Sequence, residues 1–376
     1  MMRLKNLVNA NLLMLFMILA ISKVGAQNGN FGSWENDLTP IGEIDWNYER
    51  AAHLLERAGF GGTPEQIMAL ATKTPKEAVR SLVYFDRSTQ ELNSFEHSGI
   101  YDPGIDPFPP SRPATTELAK ATGEALGVKV KPTGNRRLQP VVNKFFYWLR
   151  ASVLETNRVS YWWANRMVAS QNPFQEKMAL FWHGHYAINE SKVRDYRKLL
   201  QELELFHEMG AGNFRDLMVA VAKDPAMLSF LDAGVNVKGA PNENFAREIM
   251  ELFTMGVGNY SEEDIREAAR AFTGWNYDGL KFVINQEDHD AGPKDFLGHT
   301  GNFDGLDVID IIMDQSITSE YMGGKLYNFF VRENLDPKFK KELGTVFHEM
   351  NYELAPFLET IFLSKDFYSQ ASIGTH

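Results

Sequence analysis

Asn242-Glu243-Asn244-Phe245-Ala246-Arg247-Glu248-Ile249-Met250-Glu251-Leu252-Phe253 is the stretch on which the reading of this chain turns. At about 100° per residue, Phe245, Ala246, Ile249, Met250, Leu252 and Phe253 fall on one continuous face, and Glu243, Asn244, Arg247, Glu248 and Glu251 fill the other. The spacing predicts an amphipathic helix whose polar face is dense in acids and amides. Glu243 with Arg247, and Arg247 with Glu251, stand four apart, as ion pairs on a solvated face would. The asparagines ask for more. Asn242 suits an N-cap, but Asn244 is a poor helix filler and a good positioned hydrogen-bonder.

The same helical grammar extends in both directions. Tyr48 to Leu55 repeats apolar residues at helical spacing until Gly59, Gly61 and Gly62 stop it. Thr63-Pro64-Glu65-Gln66 and Thr74-Pro75-Lys76-Glu77 each offer an N-cap, Pro at N1 and an acid or amide at N3. Helical patterns then cover 141–168, 174–181, 192–209 and 214–222, and Ser261 caps an acidic first turn that opens a scaffold helix to Phe272. Period-two alternation is absent apart from a short strand at 280–285 in a hairpin. The expected fold is all-α: a multi-helix globular bundle with a minor β-hairpin. It carries a Pro-rich excursion over 86–137, with one short helix near 116–126.

The N-terminus reads as an address. Arg3 and Lys5 precede an apolar run from Leu12 to Ile21, and Val24-Gly25-Ala26 supplies the small residues of a signal-peptidase site. The run is short of the roughly 20 residues that span a bilayer, which favours cleavage over anchoring. The expected organisation is a signal peptide at 1–26, a flexible leader at 27–45 and one helical domain at 46–376, in a periplasmic or extracellular protein. Loss of Arg3, Lys5 and Lys23 would take the net charge from -11 to -14. So acidic a surface argues against nucleic acid and anionic lipid as partners. With no Cys, stability must come from apolar burial, and any metal must be held by His, carboxylate or amide groups.

Two further segments carry suggestive chemistry. Phe181-Trp182-His183-Gly184-His185-Tyr186 ends an apolar helix; histidines two apart share no helical face, but would converge on a metal if the helix frayed at Gly184. The alternative is a pair of hydrogen-bonded core histidines. Asp288-His289-Asp290-Ala291-Gly292-Pro293-Lys294 places a His-Asp pair and a Lys on a Gly/Pro-stiffened loop suited to metal binding or proton transfer. No Walker loop, Gly-x-Ser-x-Gly elbow, His-Glu-x-x-His helix or dinucleotide-binding turn occurs.

These segments resemble a bacterial family catalogued as domain of unknown function 1800. The likeness rests on Ala52 to Gly61, Glu176-Lys177-Met178 with Leu180 to His185, and Asp224-Pro225-Ala226-Met227-Leu228 with Leu231-Asp232. It continues through Asn242 to Gly256, Ala268 to Trp275, His289-Asp290 with Lys294, Leu297-Gly298, Asp307 to Asp310 and Lys325-Leu326. The resemblance implies a largely helical exported protein, often encoded beside a second exported family similar to sulfatases and alkaline phosphatases, which would be its partner. It implies no particular reaction. His183, His185, Asn242, Glu243, Asn244, Arg247, Glu248, His289 and Asp290 all fall on the family's motif positions. This chain departs from the family at His207-Glu208-Met209-Gly210, where basic residues are usual. It also stops at Ile373-Gly374-Thr375-His376, short of the usual further helical region, as a C-terminal truncation would.

Two functions remain open at this level. In one, His183, His185 and His289, with Glu248 or Asp290, bind a divalent metal ion, Glu243 or Glu251 moves a proton, and Arg247 and Asn244 hold an anionic or polar substrate. In the other, the same residues form a structural network in a non-catalytic scaffold or binding module.

Overall fold

The computed structural model describes residues 34–85, 94–100 and 139–373, the last span with side chains from 147 onward. The signal segment and nearly all of the 86–137 excursion, with its short helix near 116–126, lie outside the described residues. The described part of the leader is tied to the far end of the chain. Ile41 N donates to Leu363 O at 2.9 Å, and Lys365 N donates to Thr39 O at 2.9 Å.

Fifteen α-helices and two small antiparallel hairpins make up the described structure. The first three helices, α1 (Tyr48–Ala58), α2 (Pro64–Ala71) and α3 (Pro75–Val83), begin where their caps predict. Thr63 with Gln66 and Thr74 with Glu77 both close full capping boxes, each satisfying two otherwise orphaned amides. Then come α4 (Gln139–Ala169), α5 (Pro173–Tyr186), α6 (Glu190–Val193) and α7 (Tyr196–Met209). The single helix expected over 192–209 is thus two, because Arg194 turns left-handed (φ 56°) and Asp195 caps a fresh start through Arg197 N.

Next are α8 (Phe214–Ala222), α9 (Pro225–Phe230), α10 (Asn244–Glu248) and α11 (Glu262–Ala271), the last opened by the expected Ser261 cap in a box with Asp264. The anticipated hairpin pairs β1 (Trp275–Asp278) with β2 (Lys281–Ile284). A second, unforeseen hairpin pairs β3 (Lys294–Phe296) with β4 (His299–Gly301). Its strands are too short to show a period, and its turn at Leu297-Gly298 takes positive φ at both residues. Four helices finish the chain: α12 (Gly305–Met313), α13 (Ser316–Phe330), α14 (Pro337–Glu349) and α15 (Leu354–Leu363). Helices α13 and α14 touch backbone to backbone at Gly344, where a Cβ would stand 2.7 Å from Glu320 Cα.

One apolar cluster runs from Ile41 to Tyr368, with α5 at its centre. Trp182 stacks on Phe214 and on Tyr186, both at 5.7 Å, and Tyr186 stacks on Phe206 at 5.8 Å. Phe253 meets Tyr186 edge-on at 5.0 Å, so α5 carries the segment 249–254 on its flank. Among the described residues no helix is long and apolar enough to cross a membrane.

Candidate functional site

Helix α10 does not end as an ordinary helix. It runs directly into a π-helical turn, Ile249–Thr254, in which Met255 N reaches back five residues to Met250 O at 2.9 Å and Thr254 Oγ1 donates to Ile249 O at 2.6 Å. Such wide turns recur at functional sites. The extra residue per turn rotates the side chains of this segment away from their regular helical positions, so Leu252, expected on the apolar face, is turned outward and 45% exposed. The last carbonyls of the turn, orphaned like those of any helix end, are claimed from outside. Leu252 O accepts from Lys325 Nζ at 3.0 Å and from Tyr321 Oη at 3.1 Å, and the His185 ring bonds Phe253 O at 3.1 Å.

The two acids of the turn are unlike. Glu251 accepts from the Tyr260 hydroxyl at 2.9 Å; burial first, and this bond second, push the phenol above its ordinary range. Glu248, one turn earlier and half-buried, makes no hydrogen bond or ion pair among the described residues. Burial first, and the neighbouring Glu251 second, push its carboxyl up, against the weaker pull of Arg247 and Lys192.

The other residues of this segment end on structural partners. Arg247 bonds Glu262 at 2.7 Å and Glu243 at 3.0 Å, an open surface cluster that holds the guanidinium firmly charged. Asn242 Oδ1 accepts from Asn244 N at 3.0 Å, which is a capping contact. Asn244 Nδ2 donates to Leu231 O at 3.1 Å, tying α10 to the end of α9.

The histidines do not converge. Helix α5 passes through Gly184 unfrayed to Tyr186, so His183 and His185 leave on different sides. His183 faces solvent against the edge of Trp163, 5.3 Å between ring centres. His185 is buried, its Nδ1 3.2 Å from Lys325 Nζ, and burial with the lysine charge pushes it down to about 3. His289 Nδ1 lies 2.9 Å from Thr273 O. Asp290 pairs with Arg270 at 2.8 Å, which holds it below the usual carboxylate range, and also accepts from Gly292 N at 2.9 Å. Buried Lys294 donates to the Asp290 and Gly292 carbonyls at 2.6 and 3.0 Å, so this loop is a clasp that fastens the second hairpin to α11. Among the described residues no group of three or more His, Asp or Glu side chains is placed to hold a metal ion. The metal-ligand grouping of His183, His185, His289 and Asp290 is therefore not assembled, because each donor is spent on a separate local contact.

Sequence reasoning missed Lys325, Tyr321 and Tyr260. Lys325 lies in one of the family-like motifs, but nothing local signals that a residue of α13 caps a turn more than 70 positions upstream. It also missed two buried acidic clusters. Glu176, wholly buried, accepts from Trp163 Nε1 at 3.1 Å, Arg166 Nε at 3.0 Å and His207 Nε2 at 2.6 Å. Burial alone would raise its carboxyl, yet His207 and Arg166 outweigh it and hold it low. On α7, buried Glu202 has one oxygen without a partner, and burial together with Asp224 pushes its carboxyl well up. Asp224, capping α9 through Ala226 N and Met227 N, is pushed up to about 7, chiefly by burial.

A family model described as "Protein of unknown function (DUF1800)" matches residues 53–376. No curated protein and no solved structure matches the chain.

Proposed function

The chain belongs to the DUF1800 family, and from that premise we propose that it is an exported acid–base enzyme whose reacting groups are Glu248 and Glu251. The observation behind this reading is the asymmetry of two carboxyls one turn apart. One is fixed by the Tyr260 hydroxyl, and the other is unpartnered among the described residues and biased toward its protonated form. Hydrolysis of a C–O bond needs two neighbouring acids in unlike surroundings, one to give a proton and one to take it. Glu248 would protonate the leaving oxygen, and Glu251 would take a proton from the attacking water. The substrate class that fits an exported, acidic protein is a polar, uncharged or cationic extracytoplasmic compound, such as a glycan. Lys192 and Tyr321 border the pair electrostatically and would help orient it.

The test is a screen of the signal-free chain against cell-envelope polysaccharides, aryl glycosides and aryl esters, with Glu248→Gln and Glu251→Gln beside it. Turnover lost at least about 100-fold in both variants, with the melting temperature kept, supports the reading. Turnover that both variants retain, or none from any of the three, leaves the scaffold role that the partners of Arg247, Asn244 and Asp290 already favour. Export is tested on the same gene, by N-terminal sequencing of the secreted or periplasmic product for a start at Gln27.

A further inference from the structure

Helix α4 is apolar on two sides. Trp148, Ala151, Val159 and Trp163 lie on one side and are buried, at the spacing of an amphipathic helix. Tyr147, Leu154, Tyr161 and Val168 recur every seven residues on another side, and all four are exposed, Tyr161 by 74% and Val168 by 90%. A row of period seven drifts by only about 20° per heptad, so this one runs along the helix for about 30 Å. A hollow of about 330 Å³ lies beside it, and the described residues that line it are Leu149, Arg150, Val153 and Leu154. A helix that is apolar all round is normally covered on every side, and an exposed apolar row of this length marks a surface that another molecule covers.

The charge of this helix is opposite to that of the chain. The protein as a whole carries -11, but Gln139–Ala169 holds Lys144, Arg150, Arg158 and Arg166 against one acid, Glu155. Glu155 is buried and accepts from Ser98 Oγ and from Arg158, which pairs with it at 2.9 Å and itself stays exposed. Arg150, exposed at the edge of the hollow, makes no hydrogen bond or ion pair among the described residues. We propose that the row docks an amphipathic helix of a partner protein, with apolar residues against Tyr147, Leu154, Tyr161 and Val168 and acidic residues on the flanks, facing Arg150 and Arg158. A second copy of α4 is a poorer occupant, because it offers no exposed acid. Laid antiparallel with Leu154 on Tyr161, it would also bring the two Arg158 side chains together about the two-fold axis. The inference is independent of the acid–base reading, since neither Glu248 nor Glu251 takes part.

The test uses the signal-free chain and two labelled synthetic helical peptides, alike in a leucine row of period seven and different in their flanks, one with Glu and one with Lys. Binding is followed by fluorescence anisotropy. The Glu-flanked peptide should bind at least about tenfold more tightly, the scale of two charge pairs turned from repulsion to attraction. Tyr161→Glu should weaken that binding by a similar factor, and Arg150→Glu should remove the preference; both positions are exposed, so the melting temperature should hold. Equal binding of the two peptides, or binding of neither, overturns the proposal, and this comparison on the unmutated chain needs no variant to fold. A dimer in sedimentation that Tyr161→Glu dissociates also overturns it, because the row would then belong to a second copy.

Discussion

Glu176 on α5 and Glu248 on α10 are glutamates of helices on the same core, and their surroundings could hardly differ more. Glu176 is wholly enclosed and receives Trp163, Arg166 and His207, so each of its oxygens is answered by a donor. Glu248 is only half-enclosed and is answered by none among the described residues, while Glu251 beside it is held by Tyr260. Both are costly to place, with different outcomes: one by desolvation that its partners outweigh, the other by partial burial and a like charge that Arg247 and Lys192 offset only in part. The lesson is that burial of an acid alone does not mark function. A carboxyl with a full set of donors is fixed in one protonation state, whereas one without donors can gain or lose a proton at small cost.

Breaking the Glu176 side of the comparison should have the largest effect. Glu176→Ala leaves Arg166 and His207 without their counter-charge and should cost about 3–5 kcal/mol in urea unfolding. A loss below about 1 kcal/mol would mean that the cluster is not a structural counterpart to the Glu248 pair. The next effect comes from Glu202 and Asp224, which resemble Glu176 in burial; Glu202 has an oxygen without a donor, whereas Asp224 accepts only the two capping amides of α9 and Gln201. Asp224 keeps its proton to about pH 7 in the fold and only to about 4 unfolded, so its contribution is complete below pH 4 and lost as pH rises through 7. Lys198, stacked on Tyr277 at 3.8 Å, and Gln201 pull the other way without cancelling it, and Tyr186 faces Glu202. Unfolding midpoints should therefore fall between pH 5 and 8. Glu202→Gln should flatten that slope and gain on the order of 2 kcal/mol at pH 8. An unchanged slope would show that the two acids do not share a charge.

The helical body is legible in the sequence because its signals are local. Caps at Thr63, Thr74 and Ser261 need only three residues to declare themselves, and apolar spacing locates α1, α5 and α8. Candidate site residues are legible as a group, since Glu248 and Glu251 lie on the polar face of the 242–253 segment. Their roles are not. Asn244, which has no visible task in the sequence, is spent on Leu231 O, a contact between segments that no periodicity encodes. The outward turn of Leu252 comes from a π turn, which 100° spacing cannot represent. A Gly between His183 and His185 suggests that the two could meet, yet packing of Trp182 and Tyr186 on both sides of Gly184 keeps the helix regular. Sequence records which residues are costly, and tertiary contacts decide which of those costs are met.

The Glu248 side of the comparison is sharpened by smaller effects. Carboxyl carbon NMR should find Glu248 titrating above an ordinary glutamate, and Glu251→Gln should move it down, because the variant deletes a like charge while preserving shape. No movement would mean that burial alone raises it and that the two acids do not act as a pair. The smallest effect belongs to Arg247. Its side chain and those of Glu243 and Glu262 are all open to water, so its ion pairs are screened, and Arg247→Ala should shift the melting temperature by no more than about 2 °C. Arg247 is also among the charges that pull Glu248 down, so the same variant should raise the Glu248 titration slightly. A near-silent melt with a shifted carboxyl would mean that Arg247 acts on the acid pair rather than on the fold; a large melting loss would move α10 into the scaffold class that Glu176 defines.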